Sequence, residues 1–429
     1  DSIHAFGAST LGVPFVVLIA TMAAGSIALV VSLRAVLRSE HRLDSMLSRE
    51  AVFLGNNVVL VGLCFVVFWG TFFPLISEAL TGDKAAVGPP WFDRYTVPLA
   101  LVLVLLSGIG PVIAWRRATA SNARRNLLAP LIAALVTVAV LLPLGVGDRP
   151  LALAMFGCGA FVLGTVAQEF WRGTAARRAM SGESVPVALT SLVRRNRRRY
   201  GGYLVHVGVA VLFVGVAASS AFQHARDVQL DVGQTAKVGD YRLTYVRPTG
   251  DLKAANNGRL EKIDLGAVMR VSHNGKFVGN LKTERSFFPS DDPTLGPVSR
   301  FFEGEATSEV GLRAGLRRDV WSAISPSVRD LRKQVAEGDR VFNGARALPA
   351  ADRDVALAKA LVGLTNSYAA NPPPATFRLI VSPLVSWIWI GALIVFMGGL
   401  IAIWPSPRRA PRPVAARYAA RVARELGRA

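Results

Sequence analysis

The chain has 429 residues, of which 52% are hydrophobic and 18% charged, and its formal net charge at pH 7 is +20. With a mean hydropathy of +0.38, it has too few polar residues to cover soluble domains, which excludes a ribosomal-type or disordered basic chain. Long uncharged apolar runs instead indicate a mostly helical, polytopic membrane protein.

Seven apolar runs are long enough to cross a bilayer as helices, which takes about 20 residues. The predicted spans are residues 11–33, 58–80, 96–115, 127–144, 151–170, 203–222 and 385–404. Arginines concentrate in every second connection between these spans. Because cytoplasmic connections retain positive charge, the alternation predicts that residues 1–7, 81–95 and 223–376 lie in the periplasm.

These spans divide the chain into four predicted parts. Residues 1–222 form a six-helix membrane region with a periplasmic N-terminus, and residues 223–376 form a periplasmic β-rich domain. Residues 377–404 form the final membrane helix, and residues 405–429 form a basic cytoplasmic tail. The predicted location is therefore a cytoplasmic membrane, with one large domain outside it.

A basic run at residues 194–199 raises the question of nucleic-acid binding. Such binding uses a basic patch on an accessible folded surface with interleaved aromatic or polar base readers. This run instead directly precedes a membrane span, and apolar residues recur at helical spacing over residues 185–193. The pattern predicts an interfacial helix on an anionic membrane leaflet and no nucleic-acid partner.

The segment between the last two spans alternates apolar and polar residues, as strands do. Strands are predicted at residues 228–232, 241–246, 262–271, 277–285, 309–321 and 377–381, with helices at 327–341 and 351–368. Asn274 and Gly275 predict a tight hairpin turn, since both turn positions need positive φ. The expected architecture is a small β-sandwich or barrel with helical additions. Its residues form no catalytic constellation, which favours docking over chemistry.

The two cysteines, Cys64 and Cys158, both lie in apolar runs, and the sequence contains no CxxC or CxxCH motif. Without such motifs, a disulfide framework, a structural zinc site and a covalent haem attachment site are not expected on this chain. Two buried thiols packed among helices are the simpler interpretation. No catalytic residue is identified.

Two of the five histidines occupy informative positions. His206 lies inside the sixth predicted span, where an ionisable group is costly and faces the bundle interior with a partner. His4 precedes the first span beside Phe6, at the membrane lip. From the residues alone, His206 is an interhelical hydrogen-bonding group or a haem ligand, and His4 is an interfacial terminal residue or a haem ligand. His224 follows the sixth span closely, and its role stays open.

Seven segments in chain order resemble the CcmF family, the haem lyase subunit of the cytochrome c maturation pathway known as System I. They are residues 49–57 (REAVFLGNN), 70–79 (GTFFPLISEA), 87–92 (VGPPWF), 108–111 (GIGP), 199–208 (RYGGYLVHVG), 308–317 (SEVGLRAGLR) and 383–389 (PLVSWIW). Each match is short, but together they cover nearly the whole chain. The opening residues 2–6 (SIHAF) are similar to the family's second extracytoplasmic histidine motif, although residues 7–10 depart from it.

The resemblance implies two axial ligands to haem iron. His206 matches an intramembrane histidine that holds a resident haem b, and His4 matches a ligand to transient haem delivered by a CcmE-like chaperone. The family's tryptophan-rich WWD segment and the partner histidine of each pair have no counterpart here. The chain therefore resembles the C-terminal half of the family and would supply one ligand of each pair. A cropped chain and a naturally split subunit both remain open.

The function implied by the resemblance is haem handling in the bacterial inner membrane, where a CcmF-like synthetase attaches haem to the CxxCH motif of apocytochrome c. The implied partners are the CcmE-like chaperone, CcmH/CcmI-like apocytochrome-handling proteins, apocytochrome c, and the missing N-terminal half. The residues leave three alternatives open. They are the paralogue dedicated to nitrite reductase maturation, a permease with His206 in its substrate path, and a scaffold without haem.

Overall fold

The computed structural model describes residues 12–38, 43–83, 85–255, 260–292, 294–344, 349–405, 421–424 and 427. His4, a predicted haem ligand, lies outside the described residues, as do His41 and most of the basic tail. The chain forms two compact units, with the divisions at residues 214/215 and 389/390.

Seven helices among the described residues are long and apolar enough to cross a membrane, which confirms the predicted number. The α-helices of the described residues, α1 to α12 in chain order, are Gly12–Ser32, Arg34–Leu37, Arg49–Thr81, Pro89–Ile109, Ala120–Leu141, Pro150–Ser181, Val185–Arg195, Arg197–Ala221, Ser299–Glu303, Arg332–Gly344, Ala350–Ala370 and Val385–Ile403. The first unit contains α1 to α7 with most of α8 and α12.

Several membrane helices differ in their ends from the predicted spans, and local capping explains the early starts of two of them. Helix α3 begins at Arg49 rather than residue 58, since the Ser48 hydroxyl accepts a hydrogen bond from the Ala51 amide at 3.1 Å. Helix α4 spans Pro89–Ile109 rather than 96–115. Prolines in its first turn favour the early start. Backbone nitrogens there have no hydrogen-bond partner within the helix, so a proline loses none.

Helices α8 and α12 approach each other closely along paired glycines. A Cβ atom at Gly208 would lie 2.6 Å from the Gly391 carbonyl oxygen, and one at Gly201 would lie 2.7 Å from the Gly398 carbonyl oxygen. On each helix the two glycines are seven positions apart. These small residues let the two backbones pack directly, as is common between membrane helices.

The second unit contains two antiparallel sheets that share a hydrophobic core. Strands β1 to β9 are His224–Leu230, Thr235–Val238, Tyr241–Ala254, Leu260–His273, Lys276–Phe287, Ala306–Glu309, Gly311–Arg313, Arg318–Ser325 and Ala375–Pro383. One sheet has the order β1-β9-β8-β7 and the other has the order β2-β3-β4-β5-β6. A second core lies between the larger sheet and helices α9 to α11.

The predicted hairpin is confirmed, with Asn274 at φ 50° and Gly275 at φ 80° between β4 and β5. The single strand predicted over residues 309–321 is wrong, because the chain changes sheets there: β6 pairs with β5, whereas β7 and β8 belong to the other sheet. Gly311 permits the change, since a Cβ atom there would lie 2.7 Å from the Lys282 carbonyl oxygen.

The junction into the last membrane helix is fixed by hydrogen bonds. The strand predicted at residues 377–381 is confirmed within β9, which pairs with both β1 and β8. Leu384 then has φ 55°, and its amide donates to the Arg317 carbonyl at 3.1 Å. The Trp387 indole donates to the Leu316 carbonyl at 3.1 Å, so the β7–β8 turn is held against the first turn of α12.

Candidate functional site

One face of α8 borders a cavity of about 660 Å³ in the first unit. Arg199, Gly202, Tyr203 and His206 line it, and their spacing of three or four residues places them on one side of the helix. The remaining walls come from α3, from the end of α4 with the residues after it, and from the start of α8. The other lining residues are Arg49, Val52, Phe53, Asn56, Leu106, Ser107, Gly110, Pro111 and Arg198.

His206 lies in the cavity wall and is half-buried. Among the described residues, neither of its ring nitrogens has a hydrogen-bond partner. The interhelical hydrogen bond considered from the sequence is therefore absent from the described part of the chain. An imidazole with both nitrogens available beside a cavity has the chemistry of a metal or haem ligand.

A buried carboxylate on α6 holds the N-terminal end of this face of α8 in place. Glu169 on α6 is 9% exposed. Its Oε2 atom accepts hydrogen bonds from Arg199 Nη2 at 2.5 Å and from the Tyr203 hydroxyl at 2.9 Å. Arg199 Nε also donates to the Tyr203 hydroxyl at 2.7 Å. The three side chains form a closed set of contacts between α6 and α8.

Polar contacts continue from this cluster to α5. Arg172 Nη1 lies 3.8 Å from Glu169 Oε1 and donates to Asn126 Oδ1 at 2.8 Å. Gln168 donates to the Asn126 carbonyl oxygen at 2.9 Å. The Glu169 carboxylate is thus surrounded by donors, which offsets the cost of placing it in a membrane span.

The opposite wall of the cavity is shaped by Arg49. Its guanidinium donates to three carbonyl oxygens after the end of α4: Gly110 at 2.9 Å, Pro111 at 3.0 Å and Ile113 at 3.0 Å. The last carbonyls of a helix lack intrahelical partners, and a cation there also interacts favourably with the helix dipole. Arg49, counted from the sequence only as a topological charge, has a structural role.

Sequence reasoning missed Glu169. Its position could have identified it, since it is the acidic residue within the predicted span 151–170. Ionisable residues in spans are rare and mark functional or structural sites. The other described histidines are not among the cavity-lining residues. His224 is exposed at the start of β1, and His273 stacks on Tyr241 with ring centroids 4.5 Å apart.

The described residues contain no metal site built from protein side chains alone, and neither cysteine forms part of one. They contain no group of three or more His, Cys, Asp or Glu side chains able to hold a metal ion. Cys64 is exposed and Cys158 is half-buried, and both are free thiols. A haem iron needs only one or two axial protein ligands, so His206 is compatible with haem but not with a multi-ligand cage.

The membrane helices, the β-sheet unit before the last of them, and the cavity beside α8 define a multi-pass membrane protein with an internal ligand-sized site. No family model matches the chain. Curated relatives do: CcmF of Pseudomonas aeruginosa is 27% identical over 402 residues, which cover 94% of this chain and 50% of the relative. CcmF of Escherichia coli is 25% identical over 408 residues, covering 94% and 51%.

NrfE of Haemophilus influenzae, also titled a cytochrome c-type biogenesis protein, is 23% identical over 413 residues, covering 95% and 52%. A solved structure titled cytochrome c heme lyase CcmF shares the fold, with a TM-score of 0.54 and 21% identity over 84% of this chain and 46% of that one. The chain is similar to CcmF proteins over nearly its whole length. It spans about half the length of the curated relatives it matches.

Proposed function

We propose that the chain acts in cytochrome c biogenesis as the C-terminal part of a CcmF-like haem lyase in the bacterial inner membrane. The observation that carries the proposal is the His206 imidazole, which borders the cavity without a hydrogen-bond partner among the described residues. The names of the relatives support the same pathway.

The cavity residues fit a haem b. His206 would ligate the iron, Phe53 and Val52 offer apolar surface for the porphyrin ring, and Gly202 leaves space beside α8, since nothing lies within 4 Å of a Cβ atom built there. When bound, haem supplies the redox chemistry of its iron, and the protein supplies ligation, orientation and exclusion of water. This chain provides one such ligand, and in this proposal the second comes from the half of the CcmF relatives that the chain does not match.

His4 is the second proposed haem ligand, on the periplasmic side, and its assignment rests on the resemblance of residues 2–6 to the family motif. In this proposal, transient haem arrives from a CcmE-like chaperone, and CcmH/CcmI-like proteins present apocytochrome c. The thiols of the CxxCH motif then add to the haem vinyl groups. This chain contributes no nucleophile to that step, so its part is to hold and orient the substrate.

The predicted topology completes the proposal. The β-sheet unit lies in the periplasm, the arginine-rich connections lie in the cytoplasm, and the parts are those predicted at 1–222, 223–376, 377–404 and 405–429. A periplasmic β-sheet unit without catalytic groups suits the docking of partner proteins.

Absorption spectroscopy of the membrane complex tests the haem assignment. The chain is co-expressed with the N-terminal half of a CcmF relative that it does not match, and the b-type spectrum of the purified complex is recorded for wild type, His206→Ala and His224→Ala. We expect the spectrum to be lost in His206→Ala and kept in His224→Ala, whose imidazole is exposed in the second unit. An unchanged spectrum in His206→Ala contradicts the ligand assignment. Full cytochrome c maturation with both His4 and His206 replaced would support the scaffold function instead.

A further inference from the structure

The cavity beside His206 has an excess of positive charge at one end. Arg49, Arg198 and Arg199 all line it, and none of its described lining residues is acidic. Glu169 lies behind the wall and balances one guanidinium, through its contact with Arg199. A cavity in a membrane protein with uncompensated cations on its wall favours an anionic ligand group.

The three arginines are not equally available to a ligand. Arg49 is committed to three carbonyl oxygens. Arg199 bonds through Nε and Nη2, so within the described residues its Nη1 group has no partner, and 59% of its side chain is exposed. Arg198 is exposed and has no ion pair among the described residues. The free donors therefore belong to Arg198 and Arg199.

Position along the helix separates the charged end of the cavity from its imidazole. His206 follows Arg199 by seven positions, which corresponds to roughly 10 Å along α8. Tyr203 and Glu169 hold the Arg199 guanidinium in one orientation, so less side-chain entropy is lost when an anion binds it. The site thus has a fixed cationic end and an apolar body with an imidazole.

We propose that this cavity binds a porphyrin dicarboxylate in one orientation, with its carboxylates on Arg198 and Arg199 and its ring beside His206. The inference rests on the proposed function and deepens it, because it assigns the anionic end of the ligand. Two carboxylates match two adjacent guanidinium groups, which pair well with planar anions. A phospholipid phosphate has related chemistry and is distinguished by the test.

The test uses iron-free protoporphyrin IX and its dimethyl ester, which share the porphyrin ring and differ in that the ester replaces both carboxylates with neutral methyl esters. Neither can take an axial imidazole, so the carboxylate contribution is measured apart from ligation by His206. Porphyrin fluorescence is titrated with the full chain in phosphatidylcholine nanodiscs, and empty nanodiscs correct for partition into lipid. We expect the free acid to bind roughly tenfold more tightly than the ester, as charge-assisted hydrogen bonds allow.

The double variant R198Q/R199Q should bind the free acid as weakly as the ester, while its unchanged affinity for the ester shows that the cavity is folded. R194Q/R195Q is the matched control, because these arginines end the neighbouring helix α7 and do not line the cavity. The control should keep the tenfold preference. Equal affinities of acid and ester in wild type, or equal losses in both double variants, would overturn the proposal.

Two further arms separate the remaining explanations. In phosphatidylglycerol nanodiscs, loss of the free-acid preference with unchanged ester binding would assign the arginine pair to lipid phosphate and overturn the porphyrin orientation. His206→Ala should leave the ratio of acid to ester affinity unchanged, since the iron-free ring is not ligated. The two proposals can therefore fail separately. If the haem spectrum is lost in His206→Ala but wild type binds acid and ester equally, this inference is rejected and the proposed function is kept.

Discussion

Glu169 and Arg199 form an ion pair between two membrane helices, with 2.5 Å between Oε2 and Nη2. Glu169 is largely buried on α6, whereas Arg199 lies in the cavity wall at the start of α8. The pair therefore joins the helix that carries His206 to the helix packed behind it. Because the Tyr203 hydroxyl shares the same carboxylate oxygen, loss of the carboxylate removes two contacts at once.

Glu169→Gln should destabilise the first unit by about 1–3 kcal/mol, because it removes the charge opposite Arg199 and Arg172 in a partly buried setting. Thermal unfolding of the chain in detergent measures the change. Glu183→Gln is the control: it breaks the 2.8 Å ion pair between Glu183, in the connection after α6, and Arg177, near the end of α6, and should cost less because this pair does not join two membrane helices. Equal losses in the two variants would contradict a special role for the interhelical pair.

Tyr203→Phe should weaken binding of free-acid protoporphyrin IX about threefold and leave ester binding unchanged. The variant keeps the ring packing against Phe170 and Tyr200 but removes the hydroxyl that contacts both Glu169 and Arg199. A loss of this size corresponds to a weakened rather than a missing charge-assisted contact.

The neighbouring tyrosine provides a matched control for that measurement. Tyr200 is buried in the same cluster and, like Tyr203, packs on Phe170. It does not line the cavity. Tyr200→Phe should therefore leave the acid-to-ester ratio unchanged, and a threefold loss there too would mean that packing rather than the Tyr203 hydroxyl sets the ratio.

Gly208→Ala should reduce the stability of the α8–α12 pair by about 1–3 kcal/mol, since its Cβ atom would lie 2.6 Å from the Gly391 carbonyl oxygen and the Val395 amide. Backbone atoms cannot move aside as a flexible side chain can. The monodisperse fraction and Tm of the purified chain report the effect. Gly399→Ala on α12 is the control, because nothing lies within 4 Å of its Cβ position.

The sequence predicted the features that depend on local patterns. Apolar runs predicted seven spans because helix length and apolarity are set within each run, and Asn274 with Gly275 predicted a hairpin because the turn needs positive φ at both. The sheet change at Gly311 was not predictable in this way. It depends on the close approach of Lys282 from another strand, which no local pattern records.

The site was predicted only in part for the same reason. His206 was identifiable from its place in a span, but the wall opposite it comes from α3 and α4, which are distant in sequence. Glu169 became significant only when the fold brought Arg199 and Tyr203 to it. Helix ends were misplaced where capping by Ser48 extends a helix beyond its apolar run.

The β-sheet unit should lose stability at low pH through Glu309. Lys262 on β4 forms an ion pair with Glu309 and lies 3.2 Å from Asp264 Oδ1. The hydrogen bond from Lys262 lowers the pKa of Glu309, and the same bond raises the pKa of Lys262. A lowered carboxyl pKa stabilises the fold above the unfolded value of about 4.3, and this contribution is lost as pH falls through the folded value.

The raised pKa of Lys262 has the opposite pH dependence. Its contribution to stability is present below the unfolded value of about 10.4 and is lost only as pH rises through the higher folded value. Between about pH 5 and pH 10 both groups are charged and the pair is intact.

Glu309→Gln should therefore lower the Tm of the β-sheet unit at pH 7, by a small amount because Glu309 is half-exposed. At pH 3, below the unfolded pKa of about 4.3, the difference in Tm between wild type and variant should be smaller than at pH 7. Glu303→Gln, at an exposed position without an ion pair among the described residues, should match wild type at both pH values. A gap between wild type and Glu309→Gln that is as large at pH 3 as at pH 7 would show that the side chain acts through packing rather than through its charge.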